Sequence, residues 1–98
     1  MLDERLLALG PDVVVEAASG TRRYRRGGRL FCVVRALRSR VDVGFHKLGR
    51  ARSRRVLHAR GRLPFVPYLV TVESPGDVDR ELLAWLGESY DLAEPPGG

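Results

Sequence analysis

Two adjacent glycines, Gly27 and Gly28, separate the runs TRRYRR and RLFCVVRAL, and this junction restricts the fold more than any other feature of the chain. Both flanking runs suit extended backbone, through β-branched and aromatic residues. A two-residue glycine connection tolerates the positive φ angles that a type I′ turn needs at both central positions. The junction therefore predicts a tight antiparallel hairpin, with strands over Thr21–Arg26 and Arg29–Leu37.

The rest of the chain adds elements around that hairpin. Leu2, Leu6 and Leu9 recur at helical spacing until Gly10-Pro11 stops the pattern. Three consecutive valines within Asp12–Ala17 read as a strand. In the second hairpin arm, strict alternation puts Leu30, Cys32, Val34 and Ala36 on one side, with Phe31, Val33, Arg35 and Leu37 on the other. Val41, Val43 and Phe45 alternate with Asp42, Gly44 and His46, the pattern of a strand with one face in water. Tyr68–Glu73 is the last predicted strand. Ser74-Pro75-Gly76-Asp77 follows, with Ser74 as helix cap, Pro75 in the first turn and Asp77 at capping-box spacing. Val78, Leu82, Trp85, Leu86 and Ala93 then share one helical face, edged by Leu83 and Tyr90.

The expected fold is α+β: a single small domain over residues 1–94, with a mainly antiparallel sheet of about five strands. An N-terminal and a C-terminal helix cover one face of that sheet. Residues 95–98 are expected to form a disordered tail after Pro95-Pro96. At 98 residues two independent cores would each be too small to fold unaided. No apolar run reaches membrane-spanning length, and the acids in MLDERLLALG do not suit a secretory signal. A lone cysteine, Cys32, excludes an internal disulfide and a cysteine-based zinc cluster, and the expected location is the reducing cytoplasm.

The segments LGPDVVVEAASG, RGGRLFCVVRALRSRVDVGF and VTVESPGDVDRELLAWLGESYDLA together resemble a small bacterial family catalogued as domain of unknown function 5655. The carrying residues are Phe31 in the central strand, Ser74, Asp77, Val78 and Asp79 at the cap, and Trp85 and Tyr90 in the helix. The resemblance spans about Leu6 to Ala93. It implies a short α+β module ending in strand, cap and helix, and brings no catalytic residues and no substrate. Where the family would have a short basic or mixed loop, this chain has the arginine-dense segment 49–62.

The chemistry-bearing residues are few. His46 and His58 lack a third converging ligand, so no metal or other cofactor is expected. Cys32 between Phe31 and Val33 reads as a small buried hydrophobe rather than a nucleophile. Asp77, Asp79 and Glu81 are explained by the dipole at a helix N-terminus. Phosphate-cradling, dinucleotide-binding and nucleophile-elbow motifs are missing from the sequence. The chain reads as non-enzymatic.

Its charge is segregated. Between Arg22 and Arg62 lie fifteen basic residues and one acid, Asp42, a net of +14; the rest carries two basic residues and eleven acids, a net of −9, which together give the overall +5. Sixteen of the seventeen basic residues are arginine, as a composition bias would produce, yet only Arg5 and Arg80 lie outside this stretch. Arg22, Arg23, Arg25 and Arg26 flank Tyr24 on a predicted strand. Arg50, Arg52, Arg54, Arg55, Arg60 and Arg62 lie in the connection 47–66, which is longer than an ordinary loop. If the connection folds back over the hairpin, these residues form one positive surface. Arginine forks suit phosphate, and Tyr24 or Phe65 offers a face for base stacking. The expected partner is nucleic acid or another polyanion. The alternative is a protein-interaction or homo-oligomerising module, an accessory domain in which basic and acidic faces of two molecules pair.

Overall fold

The computed structural model of the chain describes residues 2–18, 20–49 and 53–94. Helix α1 (Leu2–Leu7) precedes strands β1 (Val13–Ala18), β2 (Thr21–Arg26), β3 (Arg29–Ala36), β4 (Val41–Phe45), β5 (Leu57–His58) and β6 (Tyr68–Val72), and helix α2 (Arg80–Leu92) follows. The strands form one sheet in the order β1-β2-β3-β4-β6-β5, and every neighbouring pair is antiparallel. This is the α+β class that the strand and helix patterns imply. The sixth strand is the two-residue β5, inside the arginine-rich connection. The predicted tail, residues 95–98, lies outside the described residues.

Gly27 and Gly28 both have positive φ, 56° and 83°, and close the β2–β3 hairpin as a type I′ turn requires. Beyond this turn the pairing departs from strict alternation. Tyr24 pairs with Cys32 but Arg25 pairs with Leu30, so Phe31 is an extra residue in β3, a β-bulge. The bulge sends Phe31 to the same core cluster as Cys32, and Leu30 to the cluster of Val33 on the opposite face. The expected faces of Leu30 and Phe31 are thus exchanged. A bulge also leaves the carbonyl of the extra residue without a ladder partner. Here the buried Ser89 hydroxyl on α2 donates to the Phe31 carbonyl and accepts from the His46 backbone N–H at 2.9 Å.

Both helices pack on one face of the sheet. Leu6 from α1, and Leu82 and Leu86 from α2, join Tyr24, Phe31, Cys32, Val43, Phe45 and Val70 in one buried cluster. Phe31 meets Tyr90 edge-on at 5.6 Å, and Phe45 stacks on Trp85 at 5.9 Å. Burying each such side chain contributes about 1.5–3 kcal/mol. The other face carries a second cluster, in which Ala59, Leu63 and Val66 from the connection cover Val33 and Leu69. β4 is consequently buried on both faces, Asp42 included at 2% exposure. The alternating pattern of β4 had placed Asp42 in water; the folded-back connection removes that water.

The predicted helix cap divides into two devices. Ser74 heads a single 3-10 turn over Pro75–Asp77, whose Asp77 carboxylate accepts the Glu73 and Ser74 backbone N–H groups. The cap of α2 itself is Asp79, accepting from the Leu82 backbone N–H at 3.0 Å.

Candidate nucleic-acid interface

On β2 the side chains alternate, so Arg22, Tyr24 and Arg26 face the helices while Arg23 and Arg25 face the opposite side. This divides the candidate residues at once. Tyr24 is only 1% exposed, its hydroxyl donates to Asp3 at 2.6 Å, and burial pushes its ionisation well above the ordinary tyrosine range. Its ring has no free face for a base, so of the two rings expected to offer one, only Phe65 is exposed.

Most of the described candidate arginines are tied to acids of the same chain. Arg22 reaches Asp3 at 3.3 Å. Arg25 pairs with Glu16 across the β1–β2 ladder. Arg26 pairs with Asp12 at 2.9 Å, donates to the Tyr90 carbonyl at 3.0 Å and lies over the Tyr90 ring at 3.9 Å. Arg55 clamps the start of α2, donating to Asp79, Glu81 and the Asp77 carbonyl beside the Trp85 ring. Arg62 donates to both oxygens of buried Asp42, at 3.0 and 3.2 Å, and the Thr71 hydroxyl adds a third bond at 3.1 Å. The carboxylates register this. The Tyr90 hydroxyl and Arg26 hold Asp12 below its ordinary range, Arg25 does the same for Glu16, and the Leu82 N–H and Arg55 for Asp79.

Arg50 and Arg52 lie outside the described residues. Arg23, Arg54 and Arg60 have no carboxylate partner among the described residues. Arg54 and Arg60 are exposed. Arg23 is partly buried, with an Nε that lacks a hydrogen-bond partner. Its guanidinium lies 5.6 Å from the centroid of the Phe65 ring.

Phe65 is the least ordinary residue of the surface. Its φ is +73°, the only positive value at a non-glycine among the described residues, and its ring is 67% exposed. A left-handed conformation disfavours a bulky side chain by about 1–2 kcal/mol, and an exposed ring gains little from burial. The connection holds this geometry because Leu63 and Val66, on either side, are anchored in the second cluster. Arg35 from β3 adds a bond to the Arg62 carbonyl at 3.0 Å. The outcome is an aromatic plate above the sheet, beside Arg23, with Arg25 and Arg35 on the same face and Arg60 in the same loop. The ring itself was visible in the sequence; its backbone strain and its seat on Arg23 were not.

Two further sequence candidates take ordinary places. Cys32 is fully buried, and desolvation pushes its thiol far above the usual range. His58 lies near Tyr68, with ring centroids 5.7 Å apart. Among the described residues no group of three or more histidines, cysteines or acids is arranged to hold a metal ion, and no helix is long and apolar enough to cross a membrane.

A family model described as "Domain of unknown function (DUF5655)" matches residues 1–93. The chain belongs to that family. The match covers every strand and helix of this DUF5655 fold, the arginine-rich connection included. No curated protein and no solved structure matches the chain.

Proposed function

We propose that this domain is a non-enzymatic binding module that takes a nucleic-acid strand on the sheet face opposite its helices. The carrying observation is Phe65: an exposed ring, held at a costly φ of +73° over Arg23. Strain retained at an exposed aromatic is a pointer to function, because nothing in the packing of that ring repays it. A base stacks on such a ring irrespective of sequence, and the surrounding guanidinium groups supply phosphate contacts.

Internal pairing narrows the surface relative to the run of arginines in the sequence. Arg22, Arg25, Arg26, Arg55 and Arg62 belong to the fold, and the contact set becomes Arg23, Arg35 and Arg60 around Phe65. The same pairing weakens the alternative of two molecules joined basic face to acidic helix. The acids at the start of α2 already hold Arg55.

The test is fluorescence anisotropy with labelled single-stranded DNA, duplex DNA and RNA over a salt series. Three phosphate contacts give a log–log salt slope of about −2 on a single strand. Phe65→Ala should weaken binding by about 1–3 kcal/mol, roughly 5- to 150-fold, with the slope unchanged, since the ring carries no charge. Arg23→Ala should reduce the slope itself. Absence of binding at low salt, or a Phe65→Ala protein that binds like the parent, would sink the proposal.

A further inference from the structure

The sheet ends at two edges. One is β5, only two residues long. The other is β1, six residues, VVVEAA, of which five are exposed. Along its outer side, alternate residues of β1 present backbone N–H and C=O groups with no strand among the described residues to receive them. Natural edges are usually blunted by lysine, proline, a bulge or an inward-pointing charge. β1 has none of these. Its one charge, Glu16, is neutralised within the chain by Arg25. Val14 and Val15 are 59% and 38% exposed, on opposite faces of the sheet, and Ala17 and Ala18 are small enough to admit a neighbouring backbone.

We propose that two copies of the chain pair antiparallel through β1, making a continuous twelve-stranded sheet with Val15 on the two-fold axis. A two-fold axis that joins antiparallel strands in one sheet runs perpendicular to the sheet, so residues directly opposite each other share a face. That parity condition requires a residue, not a peptide bond, at the centre. Centring on Glu16 would set the two Glu16 side chains against each other. A centre at Val14 would oppose Glu16 to Asp12. Centring on Val15 gives only compatible pairs: Val15 with Val15, Val13 with Ala17, and Val14 with Glu16.

The ends of this pairing also fit. Asp12, at the head of one β1, comes opposite Ala18 of the other copy. Ala18 is small and uncharged, so the acid meets no like charge there. Both pairs of helices lie on one side of the joined sheet, and both Phe65 faces on the other. The inference stands apart from what the Phe65 face binds, and its test uses no ligand.

Sedimentation equilibrium or light scattering of the whole chain, from low micromolar to sub-millimolar, should show reversible conversion of monomer to dimer. Val15→Lys places two ammonium groups opposite each other and should abolish the dimer. Val14→Lys places its ammonium opposite the partner copy's Glu16 and should retain or tighten it. A thermal melt of each variant confirms folding. As a measurement that leaves the surface apolar, Val15→Cys should form an intermolecular disulfide on mild oxidation much faster than Ser39→Cys at an exposed turn. The buried Cys32 does not compete. A chain that stays monomeric throughout overturns the proposal. So does a dimer that survives Val15→Lys, one broken by Val14→Lys, or equal crosslinking of the two cysteine variants.

Discussion

Asp42 shows how a single side chain can reverse the reading of its neighbours. It is the one acid among fifteen basic residues between Arg22 and Arg62, and it is buried with one guanidinium nitrogen of Arg62 against both its oxygens. An arginine that looked like a phosphate contact is therefore the counterion of a carboxylate that could not otherwise leave water. Severing a buried pair by removing one partner is strongly destabilising. Arg62 is one-third exposed, Thr71 still donates to Asp42, and Arg40 lies 3.6 Å from the same carboxylate, all of which softens the effect. Arg62→Ala should cost about 2–3 kcal/mol, at or below the low end for such pairs, seen as a lower urea midpoint at unchanged slope. Arg60→Ala, in the same loop but without an acid partner, should leave stability within about 0.5 kcal/mol. If the two variants unfold alike, Arg62 is not the counterion described.

At the scale of elements, the connection between β4 and β6 behaves as a lid with its own small core. Ala59, Leu63 and Val66 pack on the sheet face, and Leu63 and Val66 meet it where β4 carries Gly44. A Cβ there would lie 2.5 Å from Val66 Cγ2 and 2.8 Å from Leu63 Cδ1. The missing side chain is thus a seat for the lid rather than a turn requirement. Gly44→Ala should destabilise the domain by about 1–3 kcal/mol through overpacking, measured by chemical denaturation. Because Phe65 lies between Leu63 and Val66, the same substitution should weaken nucleic-acid binding although Gly44 is buried and uncharged. A variant that loses stability but keeps full affinity would separate the lid from the Phe65 site.

At the scale of the whole molecule, a chain that is electrically divided in sequence becomes stitched together in space. The acids of α1, of the α1–β1 corner and of the start of α2 meet arginines from β2 and the connection. Each exposed pair contributes at most about 1 kcal/mol, yet together they join the chain ends to its basic middle. Asp12, Glu16, Asp77 and Asp79 all titrate below their ordinary range when folded, through hydrogen bonds and paired arginines. Their stabilisation is fully present above the ordinary carboxylate pKa of about 4 and is lost as pH falls through the lower folded values. His46 acts in the same direction at a higher pH. Burial lowers its pKa from 6.5, so the unfolded chain takes up the proton first, and stability declines as pH falls below about 6.5. Melting temperature should therefore be flat near neutrality, decline gently below pH 6.5 and drop steeply below pH 4. A melting temperature that rose on acidification would contradict these assignments.

What the sequence determined by itself was local. Gly27-Gly28 dictates a type I′ hairpin because few other residues accept two positive φ angles, and the run from Val78 to Ala93 dictates an amphipathic helix through its spacing. Charge segregation, too, is a property of the chain alone. Tertiary structure decided which of those charges remain available. Pairing across the fold depends on contacts between residues 20 to 64 positions apart, such as Arg62 with Asp42 and Arg26 with Tyr90, and no periodicity reports these. The bulge at Phe31 was equally invisible, because its unpaired carbonyl is satisfied from Ser89, 58 residues away. The second buried face exists because Leu63 and Val66 of the arginine-rich connection pack where Gly44 has no side chain. That contact turns the long arginine-rich connection into the cover of the sheet, and leaves Phe65 exposed on top of it.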